Sequence, residues 1–158
     1  KIDTINIGGG IPSEYANTNI KVIDSILNKI REFKEWLHQK NIKLMIEPGR
    51  FIAAPAGKVT TTILRIHDNN IIVNASVYNS DMDALIVPVK LLVENEGMGK
   101  PYIIKGITPC SLDLFRYRVY LQDPKEGQTI TFLNAGAYSF TTDFCDLEKI
   151  ETEIIEWK

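Results

Sequence analysis

The chain has 158 residues, 44% of them hydrophobic and 24% charged, a balance that suits a folded globular protein with a sizeable core and excludes a disordered one. A net charge of −2 leaves no basic stripe for nucleic acid, and no apolar run approaches the roughly 18 residues of a membrane-spanning helix. Cys110 and Cys145 are too few and too far apart for a disulfide framework or a zinc quartet, so free thiols, a cytoplasmic location and no metal site are expected.

The chain starts at Lys1-Ile2-Asp3, without methionine and almost inside a strand, which reads as a fragment whose targeting segment, if any, lies upstream. Residues 2–7 alternate loosely and run into Gly8-Gly9-Gly10, where missing side chains let backbone N–H groups approach an anion. A loop then leads through Pro12 to about Asn19. From Ile20 to Leu37 apolar residues recur at three- and four-residue steps, which predicts an amphipathic helix capped by Thr18 or Asn19 and ended by Asn41. Lys43 to Ile46 is the second strand. It stops at Glu47-Pro48-Gly49-Arg50, which sets a carboxylate and a guanidinium beside a Pro-Gly break.

A strand–helix–strand crossover makes its strands parallel, so the glycine triplet and the Glu47–Arg50 loop emerge at one rim and can share a ligand. Such a unit cannot bury both faces of its sheet alone. Its missing neighbours belong either to an upstream piece of the same protein or to another chain.

Past a boundary near Pro55-Ala56-Gly57 the texture becomes β-rich. Val59–Ile66 and Ile71–Val77 flank the turn Asp68-Asn69-Asn70, and further strands are predicted at Leu85–Val87, Tyr102–Lys105, Arg118–Leu121 and Thr129–Leu133. Asp123-Pro124 and Glu126-Gly127 mark the turn between the last two. The fold class is thus α/β for residues 1–56 and all-β for residues 57–158. His38, on the helix, and His67, beside a turn, are solitary and read as structural or solvated.

Asn6-Ile7-Gly8-Gly9-Gly10, Glu47-Pro48-Gly49-Arg50, the stretch from Gly106 to Asp113, and Asn134-Ala135-Gly136-Ala137-Tyr138 stand in an order that resembles the ornithine/diaminopimelate/arginine decarboxylases, which use pyridoxal 5'-phosphate. The resemblance runs from about residue 2 to residue 146. It implies the C-terminal half of such an enzyme: residues 1–56 would be the end of a (β/α)8 barrel, and residues 57–158 the β-domain that follows. The lysine that carries the cofactor would lie in the missing N-terminal barrel portion, so the fragment alone should be inactive.

By the same resemblance, Gly8, Gly9 and Gly10 would present N–H groups to the cofactor phosphate, with Arg50 as a charged partner and Gly49 allowing close approach. Glu47 would face the pyridine nitrogen and Tyr138 would reach the phosphate from the β-domain. Taken singly, the same residues also read as a plain loop, a surface Glu47–Arg50 ion pair worth about 1 kcal/mol or less, and a core aromatic.

The stretch from Gly106 departs from the family's Gly-Pro-Thr-Cys-Asp-Gly-Leu-Asp. Pro109 stands in place of the family's cysteine and Cys110 in place of the acid that meets the distal end of the substrate, while Gly106 and Asp113 match. Cys110 and Asp113 are the candidate catalytic residues, near the partner subunit of an expected homodimer; Cys110 also reads as a small buried hydrophobe. Met82-Asp83-Ala84-Leu85-Ile86-Val87-Pro88 resembles Met-Asn-Asp-Leu-Ile-Arg-Pro, with Val87 replacing an arginine that would hold a distal carboxylate. Val87 and Cys110, as substrate contacts, disfavour diaminopimelate, ornithine and lysine and suit a substituted diamino acid. The alternatives are an amino-acid racemase of the same fold and a cofactor-binding pseudoenzyme with a regulatory role.

Overall fold

The computed structural model describes residues 1–138 and 146–156; Cys145, read above as a free thiol, lies outside them. Its elements form a two-stranded parallel sheet crossed by one long helix, followed by a six-stranded sheet.

Strands β1 (Thr4–Asn6) and β2 (Lys43–Met45) pair in parallel, with Ile5 opposite Leu44. The crossover helix α1 (Ile20–His38) begins where the Asn19 side chain accepts from the Lys21 N–H, and Asn41 takes the left-handed backbone just past its end. Only Ile23 and Leu37 of its apolar stripe are buried. Two short strands cannot cover a 19-residue helix, so Ile7, Ile26, Ile30 and Phe33 line an open apolar groove.

After β2 the chain turns into the short helix α2 (Gly49–Ala53) and a 3₁₀ turn (Ala54–Ala56). Strands β3 (Val59–His67) and β4 (Asn70–Val73) form the expected hairpin, with Asp68 at positive φ.

The next stretch differs from the sequence reading in two places. The strand expected to reach Val77 ends at Val73, because Ser76 caps helix α3 (Val77–Ser80): its hydroxyl accepts from Tyr78 N–H while Asn79 Oδ1 accepts from Ser76 N–H. The strand expected at Leu85–Val87 is instead helix α4 (Asp83–Ile86). Its β-branched, apolar letters suit either conformation over so few residues, and contacts of Asp83 and Ala84 in the interior decide the matter.

Strands β5 (Leu92–Val93), β6 (Lys100–Lys105), β7 (Leu114–Leu121) and β8 (Thr129–Leu133) complete the second sheet in the order β5-β8-β3-β4-β6-β7. β7 thus begins four residues before the Arg118 expected from sequence. Its two edges come together: Gly97 N–H donates to Tyr120 O at 3.0 Å, and the buried Arg116 guanidinium donates to Leu91 O and to Glu96 at 2.8 Å. The sheet therefore almost closes on itself.

Its interior holds Ile63, Ile71, Val73, Leu91, Ile104 and Val119 around stacked Phe115 and Phe132, whose centroids are 4.7 Å apart. Each such fully buried side chain contributes about 1.5–3 kcal/mol of hydrophobic transfer.

Two seams tie this sheet to the first unit. The loop before α1 is strapped down by Ala16 N–H to Lys90 O, by Asn17 to Pro88 O and Lys90 N–H, and by Asn134 to Glu14 O. At the second, Gly136 N–H donates to Ala54 O and Ala135 N–H to Gly57 O. The crossing is so tight that a Cβ on Gly136 would overlap the Ala53 carbonyl, so only glycine fits.

Candidate functional site

Where β1 and β2 end, the two chains hold each other. Ile7 N–H donates to Met45 O, and Glu47 N–H donates to Gly8 O at 2.7 Å. A Cβ on Gly9 would lie 2.6 Å from Glu47 O, so glycine is required for this approach. Asn6 acts on both sides: its Oδ1 accepts from Gly8 N–H at 2.8 Å and its Nδ2 donates to Glu47 Oε1 at 2.6 Å. The Glu47 carboxylate is aimed by Asn6 rather than paired with Arg50.

Arg50, in the first turn of α2, reaches across to α4. It forms a two-pronged ion pair with Asp83, one prong at 3.2 Å, and a 3.3 Å hydrogen bond to the Tyr15 hydroxyl. Its guanidinium lies over the rings of Tyr138 (5.0 Å to the centroid) and Tyr15 (5.8 Å). Asp83 is 4% exposed at its side chain and Arg50 18%. Hydrogen bonding to Asp83 lifts Arg50 above its ordinary pKa, outweighing the opposing effect of burial. Burial likewise lifts the Tyr15 hydroxyl, against the pull of Arg50. Removing one partner of so enclosed a pair strands the other charge, at a cost of about 3–5 kcal/mol.

Tyr138 follows the Gly136 seam and is 66% exposed, so it is no core aromatic; its hydroxyl stands 3.5 Å from where a Cβ on Gly49 would be. Between these groups opens a cleft of about 760 Å³, whose walls include Gly9, Gly10, Glu47, Gly49, Arg50 and Tyr138. Asp83, Tyr15 and Val87 also line it, and Ile86 and Val87 form an exposed apolar lip.

The remaining candidates stand elsewhere. Gly8 is outside the cleft walls, and its N–H is already taken by Asn6, so it braces Glu47 rather than offering a donor to an anion. Asp113 is 2% exposed and its carboxylate accepts from Val77 N–H, Thr108 N–H and Thr108 hydroxyl at 2.7–3.0 Å. With those bonds it organises the 106–113 loop instead of facing the cleft.

Cys110, at that loop's tip, is exposed rather than a buried hydrophobe; the Tyr78 hydroxyl donates to its Sγ at 3.0 Å and holds the thiol below its usual pKa. Sequence reasoning missed Tyr15, Asp83 and the bracing role of Asn6. Among the described residues there is no cluster able to hold a metal ion, and no helix is long and apolar enough to cross a membrane.

Residues 1–54 match the family model of the pyridoxal-dependent decarboxylase, pyridoxal binding domain. Over 157 residues the chain is 27% identical to the diaminopimelate decarboxylase of Methanothermobacter thermautotrophicus, covering 89% of this chain and 36% of that protein. The crystal structure of the Helicobacter pylori diaminopimelate decarboxylase complexed with L-lysine superposes with a TM-score of 0.69 at 25% identity, covering 87% of this chain and 35% of the other. The lysine/ornithine decarboxylase of Vibrio vulnificus complexed with cadaverine shares the fold, with a TM-score of 0.73 at 23% identity over 93% of this chain and 42% of the other. The chain thus spans about a third of the length of the curated relatives it matches. The architecture is that of the end of a barrel joined to a β-domain.

Proposed function

Taking as premise that the chain is a relative of the pyridoxal-phosphate-dependent decarboxylases of fold type III, we propose that it closes the cofactor site of an amino-acid decarboxylase. One observation carries this reading: Gly9, Gly10, Glu47, Gly49, Arg50 and Tyr138, drawn from three separate stretches of sequence, line a single cleft.

Pyridoxal 5'-phosphate has an anionic end, a flat ring and a basic ring nitrogen. The cleft supplies backbone, hydroxyl and guanidinium donors together, an aromatic face, and a carboxylate held by Asn6. The donor set fits the group.

When bound, the cofactor supplies an electron sink for the carbon that loses carbon dioxide. The backbone of Gly9 and Gly10, with Arg50 and the Tyr138 hydroxyl, would hold and orient the phosphate. Glu47 would keep a proton on the pyridine nitrogen, its carboxylate held in place by Asn6. Ile86 and Val87 give the rim an apolar lip. On this reading residues 1–56 are the barrel end, and the described residues from 57 onward belong to the β-domain.

The substrate we infer is a diamino acid whose distal amine is substituted or otherwise uncharged. Val87, half exposed on the cleft lip, offers no partner for a distal charge. Cys110 stands outside that cleft on an exposed loop, and we assign it to the partner subunit's site in a homodimer, with Asp113 fixing the loop that presents it. Its free thiol suits a reducing, cytoplasmic setting.

Borohydride reduction of the full-length protein with pyridoxal phosphate, followed by intact mass and peptide mapping, tests the cofactor reading. A stable increment on one lysine is expected; a folded protein without it overturns the reading. Efficient turnover of ornithine, lysine or diaminopimelate would overturn the substrate assignment.

A further inference from the structure

The ion pair between Arg50 and Asp83 makes the cleft electrically unlike one with a lone arginine. Both oxygens of Asp83 face the guanidinium, and the Tyr15 hydroxyl takes another of its N–H groups. The guanidinium lies over the Tyr15 and Tyr138 rings, and Asp83 is almost wholly enclosed. A dianion entering beside Arg50 meets a cation whose charge is already balanced, with a buried carboxylate directly behind it. Five N–H donors on a guanidinium leave some free to turn toward the cleft, so the group can still donate while contributing little net charge.

Resting on the cofactor reading above, we propose that Asp83 is a positioning residue that fixes Arg50 in the cleft wall and offsets its charge. Preference for a phosphorylated ligand then falls mainly on the neutral donors, the Gly9 and Gly10 backbone and the Tyr138 hydroxyl. Asp83 limits phosphate affinity instead of assisting it. Gly10 has the room this requires: a Cβ there, at positive φ, would meet nothing within 4 Å.

The quantity to measure is the ratio of affinities for pyridoxal 5'-phosphate and for unphosphorylated pyridoxal, by equilibrium titration of the full-length protein. Dividing one by the other cancels contributions from the ring pocket. In Asp83→Asn the carboxylate charge is lost while shape and one acceptor remain, and the ratio is expected to rise about tenfold, equivalent to about 1.4 kcal/mol. An unchanged or lower ratio overturns the proposal, whatever happens to the melting temperature. The neutral double variant Arg50→Gln/Asp83→Asn guards against a single variant that does not fold. Its ratio is expected within about threefold of the wild type, and a tenfold or greater fall overturns the proposal, because Arg50 would then supply net charge to the phosphate. Wild-type protein that binds both compounds equally, or neither, removes the cofactor reading and this proposal together.

Discussion

The two sheets solve the same problem with opposite means. The six-stranded sheet buries Phe115 and Phe132 completely and bridges its own edges through Gly97, Tyr120, Arg116 and Glu96. The two-stranded sheet has three-residue strands and a helix that buries only two of its own side chains. Yet the thin sheet carries Gly9, Gly10, Glu47 and the adjoining Arg50. Precision there is borrowed: Asn6 locks the two strand ends together, and the Gly136 seam holds Tyr138 and the β-domain against α2. Stability and site geometry are therefore supplied by different parts of the chain.

Substitutions can separate the two contributions. Phe132→Ala, in the full-length protein, is expected to cost about 3–5 kcal/mol in urea unfolding, since a stacked, fully enclosed ring leaves a cavity. Gly136→Ala strikes the seam instead, forcing a Cβ into the Ala53 carbonyl; about 1–3 kcal/mol of stability should go. That variant should also weaken pyridoxal phosphate binding out of proportion to its stability loss, and if binding is untouched, the seam does not set the site. Asn19→Ala, which removes the α1 cap, should cost about 1 kcal/mol in the same unfolding experiment and leave ligand binding alone.

The smallest effect concerns neither sheet's stability. Tyr78→Phe removes the hydroxyl that donates to Cys110 and stabilises its thiolate. The thiolate fraction at a given pH then falls, so the midpoint of a pH profile of Cys110 alkylation should move upward. A midpoint that stays put would show that the hydrogen bond does not act on the thiol.

Local chemistry was readable from the letters alone. The α1 stripe, its Asn19 cap, the left-handed Asn41 and the Asp68 turn each depend on residues within a few positions, and each stands where the pattern places it. Helices α3 and α4 were not readable. Leu85-Ile86-Val87 has strand-like letters, and the Arg50–Asp83 contact that holds α4 spans 33 residues of sequence. Tyr15 comes from a similar distance, 35 residues before Arg50, and nothing in its loop marks it. The glycine triplet announced a close backbone approach, but which glycine serves which purpose depended on where Asn6 turned its amide. A motif, then, names a place, while the partners that arrive there from elsewhere determine its charge.

The near closure of the second sheet also governs how copies of this protein can meet. Gly97 and Tyr120 join its two edges by one backbone hydrogen bond, and Arg116 adds a side-chain tie from β7 to Leu91 O just before β5. Most of the outer edge of β7 has no strand partner among the described residues, whereas the outer edges of β1 and β2 are where the upstream barrel strands would pair. A strand arriving along β7 must displace the Gly97–Tyr120 bond and the Arg116–Glu96 ion pair beside it, so the near closure works against edge-to-edge addition at the Tyr120 end of the β-domain.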